Sequence, residues 1–166
     1  MLQPLCRRTW APRGQTPIQY ALDRRDRLSA IAALSISPSR QRLGLYYHWY
    51  PHNIRTPQVV QFLRDLHRHL PRKIILVWDR WSVHRSTARV FQNQGCEWLE
   101  CEWLPAYAPD LDPVEAVWNF TKYTDLSNFV PDDISHLESA MQTSFQQQAV
   151  DSARKQSYFR YAELKL

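Results

Sequence analysis

The stretch of sequence that decides the fold is Lys73-Ile74-Ile75-Leu76-Val77-Trp78-Asp79. Five consecutive apolar residues between charged ones predict a short strand that is buried on both faces, in a sheet covered by helices. The strand ends in the carboxyl group of Asp79, at the sheet edge where open α/β folds place their ligands. An ionised carboxyl group there needs a cation, hydrogen-bond donors or a raised pKa, because desolvating an unpaired charge is costly.

The segments around this strand alternate between strand and helix patterns. Upstream, residues 27–37 and 42–50 predict two strands of a hairpin, and Thr56-Pro57 opens a helix that ends before Pro71. Downstream, the patterns predict a helix over 82–93, a strand over 98–104, a helix from Asp112-Pro113 and a last helix over 131–150. This order predicts an α/β fold with a mixed sheet flanked by helices, in one domain over 1–150 with a C-terminal tail over 151–166.

Length and composition are those of a single globular domain. The chain has 166 residues, 44% of them hydrophobic and 22% charged, which is ordinary for a soluble protein. No apolar run approaches the roughly 20 residues that cross a bilayer, and no secretory signal is present, so we expect a cytoplasmic, nucleoid-associated protein without a membrane partner. The cysteines, Cys6, Cys96 and Cys101, are too few and too unevenly spaced to predict disulfides.

The charge is distributed unevenly along the chain. Residues 1–72 carry a net charge of +9 and residues 73–166 a net charge of −4, and 17 of the 21 basic residues are arginine. Because the planar guanidinium group binds phosphate bidentately, this composition favours a polyanionic partner such as DNA. A solvated basic surface explains the charge equally well.

A second segment that carries acids is LPAYAPDLDPVE, residues 104–115. It leads from a strand through a proline-rich loop into a helix, with Asp112 as the predicted N-cap and Glu115 in the first turn. Acids at helix starts are common for capping reasons alone, so Glu115 is informative only if it meets Asp79 in space. Two carboxylates from separate elements at one sheet edge would suit Mg²⁺ or Mn²⁺.

The blocks ILVWDRWSVH (75–84) and WLPAYAPDLDPVEAVW (103–118), with 35 residues between Asp79 and Glu115, resemble the DDE superendonuclease domain of bacterial insertion-sequence transposases in the mariner-like superfamily. The segment TWAPRGQTP (9–17) is similar to that family's loop after its first strand. The resemblance implies a ribonuclease H-like fold in which three acids hold two divalent metals for DNA strand cleavage and strand transfer. It makes Asp79 the second catalytic, metal-binding acid and Glu115 the third.

The same resemblance implies the ligands. The cofactor would be Mg²⁺ or Mn²⁺, and no small-molecule organic cofactor would be needed. The partner would be DNA, both as transposon ends and as target. Whether the domain forms a homodimer stays open. Five residues are candidates for nucleic-acid binding: His84, Lys122, Arg7, Arg8 and Arg13. A surface histidine and a solvated basic loop are the competing interpretations of His84 and of the three arginines.

The chain also departs from the family pattern. The family's first catalytic Asp lies on a strand before the segment that matches residues 2–5, and its helix-turn-helix region lies upstream. We therefore expect an incomplete domain without its first strand and first acid, with one weakly held metal ion and little or no cleavage by the chain alone. Asp23 and Asp26, in an arginine-rich polar turn, are poor replacements for the missing acid. Asp112 stands where the family usually has Asn.

Two other classes of function stay open on the residues alone. One is a non-catalytic DNA-binding or oligomerising module derived from a transposase, which would use no metal. The other, weaker, is a Ser/His hydrolase built on Ser82 and His84, although the chain has no Gly-x-Ser-x-Gly elbow.

Overall fold

The computed structural model describes residues 7–8, 10–18 and 27–164, and the structural statements that follow concern these residues. The order of elements is β1 (Ser29–Ile36), β2 (Leu43–Tyr50), α1 (Thr56–His69), β3 (Ile74–Trp78), α2 (Ser82–Asn93), β4 (Leu99–Trp103), α3 (Pro113–Phe120), α4 (Ile134–Val150) and α5 (Ser152–Tyr161). A 3₁₀ turn, Pro109–Leu111, precedes α3, and a π-helical turn, Thr121–Asp125, follows it. The α/β order that the sequence predicts is confirmed up to the end of α4.

The hairpin of β1 and β2 lies at the centre of the molecule. The two strands pair antiparallel, with Ser29 opposite Tyr50 and Ile36 opposite Leu43. Because side chains alternate between the faces of a strand, Tyr46 joins a core cluster with α1 and α2, whereas Leu45 joins a second cluster with α3, α4 and α5. The hairpin therefore connects the two halves of the core.

The second pair of strands carries the candidate site. Strands β3 and β4 pair parallel, from Ile74 opposite Leu99 to Trp78 opposite Trp103, and α2 makes the crossover between them. One face of this pair packs on α1 and α2, in a cluster whose buried members are Val59, Phe62, Leu63, Leu66, Trp78 and Phe91.

The prediction that β3 is buried on both faces is wrong. Ile75 and Val77 are 62% and 56% exposed, and the β4 residues that alternate in the same way, Glu100 and Glu102, are exposed too. The reason is that α1 and α2 cover only one side of this pair. The described strands also form two separate two-stranded sheets rather than one mixed sheet.

The segment expected as a C-terminal tail contains a helix that belongs to the core. Asp151 caps α5 by accepting a hydrogen bond from the backbone N–H of Arg154 at 2.9 Å. Tyr158 and Phe159 are each 4% exposed, and the Tyr158 hydroxyl donates to Gln148 Oε1 at 2.5 Å. Helix α5 thereby packs against α4 and the end of α3.

A buried polar network holds the turn that follows α3. Gln148 Nε2 donates to Thr121 Oγ1 at 2.8 Å and to Ser144 Oγ at 3.0 Å, and all three side chains are almost fully buried. Satisfied networks of this kind rigidify a core, so the π-helical turn is anchored on α4.

Two remaining expectations concern membranes and cysteines. No helix among the described residues has both the length and the apolar character that crossing a membrane requires. Cys96 and Cys101 are free thiols, and Cys6 lies outside the described residues.

Candidate active site

Asp79 lies directly after β3, in the tight connection to α2. Its Oδ1 accepts a hydrogen bond from the backbone N–H of Trp81 at 2.9 Å and lies 2.6 Å from Nδ1 of His84. Because an ionised carboxylate only accepts hydrogen bonds, the imidazole must donate through Nδ1. Two donors to one oxygen fix the orientation of the Asp79 carboxyl group.

Aromatic contacts fix the orientation of His84. Its ring stacks on Trp78 with centroids 4.7 Å apart and planes 14° apart, and meets the Trp81 ring edge-on at 5.3 Å. Trp78 in turn stacks on Trp103 at 5.5 Å, across the β3–β4 pair. The buried end of β3 therefore positions the imidazole against Asp79.

The second set of acids lies at the start of α3. Asp112 is the N-cap, as predicted: its Oδ1 accepts from the backbone N–H of Val114 at 3.0 Å, and Pro113 takes the first helical position. Glu115 follows in the first turn. The 3₁₀ turn that precedes α3 delivers both acids from β4 to this position.

Electrostatics show that the two sets of acids share one region. Burial raises the pKa of Asp112, and repulsion by Asp79 raises it further. Burial likewise raises the pKa of Glu115; Asp112 and Asp79 add to that rise, and Lys122 opposes it. The Asp79 carboxylate therefore lies within electrostatic range of Asp112 and Glu115, and Lys122 lies within range of Glu115.

The sequence singled out some of these groups and missed others. The sequence and the resemblance singled out Asp79, His84, Glu115 and Lys122, and the structure places His84 against Asp79 and Lys122 within electrostatic range of Glu115. The effect of Asp112 on Glu115 was missed, because the helix-capping role explained Asp112 fully. Its position three residues before Glu115, hence on the same helix face, was the available signal.

The arginines of the predicted basic loop do not lie beside the carboxylates. The backbone N–H of Arg7 donates to Asn128 Oδ1 at 2.6 Å, and its guanidinium lies 5.7 Å from the centre of the Tyr123 ring, beside the π-helical turn. Arg8 and Arg13 are exposed. Among the described residues, no hydrogen bond or ion pair joins them to the carboxylates. Asp23 and Asp26 lie outside the described residues.

The chemistry of the donors fits a hard divalent cation. Carboxylate oxygens are the ligands that Mg²⁺ and Mn²⁺ prefer, and the mutual repulsion of Asp79, Asp112 and Glu115 is what a cation would relieve. Among the residues that the structure describes, however, no group of three His, Cys, Asp or Glu side chains is arranged to hold a metal ion. The described part of the chain thus supplies a partial ligand set.

The hydrolase alternative gains no support from this geometry. In the described part of the chain, the His84 ring forms its hydrogen bond with Asp79, and no hydrogen bond joins Ser82 to the His84 ring. A serine nucleophile needs such a bond to its base.

Two solved structures share the fold. The chain is similar to the Mos1 transposase in its paired-end complex with the left transposon end, with a TM-score of 0.60 and 18% identity over 96% of this chain and 48% of that one. The Mos1 strand transfer complex gives a TM-score of 0.59 and 18% identity over 96% and 47%. This chain therefore spans about half the length of the Mos1 chain and shares its ribonuclease H-like fold.

No match was found among the curated proteins. A family model, DDE superfamily endonuclease, matches residues 2–138, a range that includes β1 to β4, Asp79, Asp112 and Glu115. Because this match covers most of the chain, including both sets of acids, the chain belongs to the DDE superfamily endonuclease family.

Proposed function

We propose that this chain is the catalytic domain of a DDE transposase, which acts in DNA transposition by metal-dependent strand cleavage and strand transfer. The observation that carries the proposal is that Asp79, at the end of β3, and Glu115, at the start of α3, lie within electrostatic range of each other in a chain of the DDE family. Both acids belong to the sequence blocks on which the family resemblance rests.

In this proposal Asp79 and Glu115 hold Mg²⁺ or Mn²⁺. A divalent ion held by these two carboxylates would supply Lewis-acid stabilisation to the reacting oxygens of the DNA phosphate. His84 and the backbone of Trp81 orient the Asp79 carboxylate through Oδ1, which leaves Oδ2 for a ligand. Asp112 adds negative potential, and Lys122 partly balances it at Glu115.

The same proposal gives the DNA contacts. His84 and Lys122 lie beside the carboxylates and would meet the phosphate at the reacting position. Arg7, Arg8 and Arg13 would contact the backbone farther away. One of the similar Mos1 structures contains a left transposon end, and by analogy we propose transposon-end and target DNA as the partners here.

Metal binding tests the ligand assignment directly. We expect Mn²⁺ at ten times its Kd to stabilise the wild-type chain by about 1.4 kcal/mol, because the ion binds only the folded state. This stabilisation should disappear in Asp79→Asn and in Glu115→Gln. The matched control is Asp110→Asn, an exposed acid in the same loop, which should respond to Mn²⁺ as the wild type does.

Nicking of supercoiled plasmid in the presence of Mn²⁺ tests the reaction. Cleavage by the wild type and by Asp110→Asn, lost in Asp79→Asn and Glu115→Gln, would assign catalysis to this site and would overturn the expectation that the chain alone cleaves little or no DNA. The second candidate function is a non-catalytic DNA-binding module, which is favoured by the lack of a three-ligand group among the described residues. DNA affinity that is equal in the wild type and in Asp79→Asn, with no effect of Mn²⁺ on stability or cleavage, would support that function instead.

A further inference from the structure

An arginine-lined groove runs along α2, next to the candidate site. Its volume is about 920 Å³, and its walls come from α2, β4 and the connection between β3 and α2. Three arginines line it, Arg80, Arg85 and Arg89, together with one acid, Glu97. The groove therefore carries an excess of positive charge, although it belongs to the half of the chain whose net charge is negative.

The three guanidinium groups are exposed and available. Arg85 and Arg89 are four residues apart on α2, so they share one helix face, about 6 Å apart along the axis. Within the described part of the chain, no side-chain hydrogen bond or ion pair occupies them or Arg80, whereas other arginines, such as Arg68 and Arg154, pair with nearby aspartates. An unneutralised row of arginines attracts anions.

The groove lies near Asp79. Arg80 directly follows Asp79 in the chain. Trp103, which lines the groove, stacks on Trp78, which stacks on His84, the hydrogen-bonding partner of Asp79. The end of the groove that Arg80 lines is therefore the end nearer the candidate active site.

We propose that this groove binds the phosphate backbone of a DNA strand that leads to the carboxylates, with Arg85 and Arg89 each contacting a phosphate. Arginine is suited to this role because its planar fork binds phosphate bidentately. The inference rests on the proposed function for the place where the strand ends, but the binding itself needs no metal. It adds Arg80, Arg85 and Arg89 to the contacts that the sequence suggested.

The experiment is filter binding of a radiolabelled DNA duplex in EDTA, over a series of NaCl concentrations. Each phosphate contact contributes about −0.9 to the slope of log K against log salt. We expect the double variant Arg85→Gln/Arg89→Gln to make the slope shallower by about 2, with roughly a tenfold or greater loss of affinity at low salt. Arg85→Lys/Arg89→Lys keeps the charges and should keep most of the slope.

The matched control is Arg64→Gln/Arg68→Gln, which removes two arginines with the same spacing from α1 and should leave the slope unchanged. Equal slopes for the wild type and Arg85→Gln/Arg89→Gln, or the same loss in the α1 control, would overturn the proposal, since the arginines would then form an ordinary solvated surface. DNA binding by the double variant Asp79→Asn/Glu115→Gln, measured in EDTA, separates the groove proposal from the proposed catalytic function. If this variant binds DNA as the wild type does, the groove acts independently of catalysis, and a failure of metal-dependent cleavage would count against the proposed function alone.

Discussion

At the scale of single residues, Asp112 combines two effects that oppose each other. Its side chain caps α3, which stabilises the helix, but it is largely desolvated and lies near the negative charges of Asp79 and Glu115. The cap was predictable from the sequence Asp-Pro-x-Glu, because capping depends on neighbours in the chain. The repulsion was not, because it depends on where the end of β3 lies in space.

Replacing Asp112 with Asn should stabilise the protein at neutral pH. Asn caps a helix about as well as Asp, and the substitution removes a like charge from the carboxylate cluster. We expect a gain between a few tenths of a kcal/mol and about 1 kcal/mol, the range for partly exposed charge pairs, measured by urea unfolding. The control is Asp133→Asn at the N-cap of α4, which should change little. A loss of stability in Asp112→Asn would show that the charge itself is needed.

Tyr158 should make the folded state sensitive to high pH. Burial raises the pKa of this hydroxyl above its ordinary value of 10.0, and its proton is held by Gln148. The contribution of the protonated Tyr158 hydroxyl to the free energy of unfolding is therefore fully present below pH 10. It is lost as the pH rises above 10, because the unfolded chain releases the phenolic proton before the folded chain does. In Tyr158→Phe, the fall in urea stability above pH 10 should be smaller than in the wild type. Equal falls in the two proteins would assign the pH dependence to other groups, such as Tyr47 and Tyr50, whose pKa values burial also raises.

At the scale of elements, local patterns predicted which segments form helices and strands, but not how they are covered. The apolar run of β1 and the alternating residues of β2 together predicted the central hairpin correctly. The apolar run of β3 suggested burial on both faces, but among the described residues helices cover only one face. The hydrophobicity of a strand does not reveal how many elements pack on each side of its sheet. Helix α5 was missed because its buried positions, Lys155, Tyr158 and Phe159, lie in an otherwise polar segment.

The hairpin depends on a glycine at one position. A Cβ atom on Gly44 would lie 2.7 Å from Ser35 Oγ and 2.7 Å from Cε2 of the Tyr46 ring, so Gly44→Ala should destabilise the fold by about 1–3 kcal/mol through overpacking. Thermal or urea unfolding measures the loss. In a Ser35→Ala background the cost should be smaller, because one of the two close contacts is gone. A neutral Gly44→Ala would mean that the strands can move apart freely.

At the scale of the whole molecule, charge and cooperativity both depend on how the halves of the chain come together. The basic N-terminal half drew attention to Arg7, Arg8 and Arg13, yet the arginine-lined groove beside the acids comes from the half with negative net charge. The net charge of a segment sums residues that lie on different faces of the folded protein, so it does not show where a basic or acidic surface forms. The site could be predicted in its chain-local parts, Asp79 with His84 and Glu115 with Lys122, whereas the groove required the packing of α2 on β4.

Because the hairpin contributes side chains to both core clusters, the two halves should unfold as one unit. Phe145 is fully buried and contacts the Tyr47, Trp49 and Trp118 rings, so Phe145→Ala should cost about 3–5 kcal/mol. Hydrogen exchange should show a similar loss of protection in α1, which lies on the opposite face of the hairpin. Unchanged protection in α1 would show that the two clusters unfold independently.

The stack of rings around His84 has a practical consequence for anyone who studies this protein in solution. Three of its seven tryptophans, Trp78, Trp81 and Trp103, belong to that stack or adjoin it. An ion bound at Asp79, or a phosphate beside His84, would change the electrostatic field at the Trp78 and Trp81 rings that contact this imidazole. The intrinsic fluorescence of the protein would then follow occupancy in real time, so the site carries its own optical reporter and needs no attached dye.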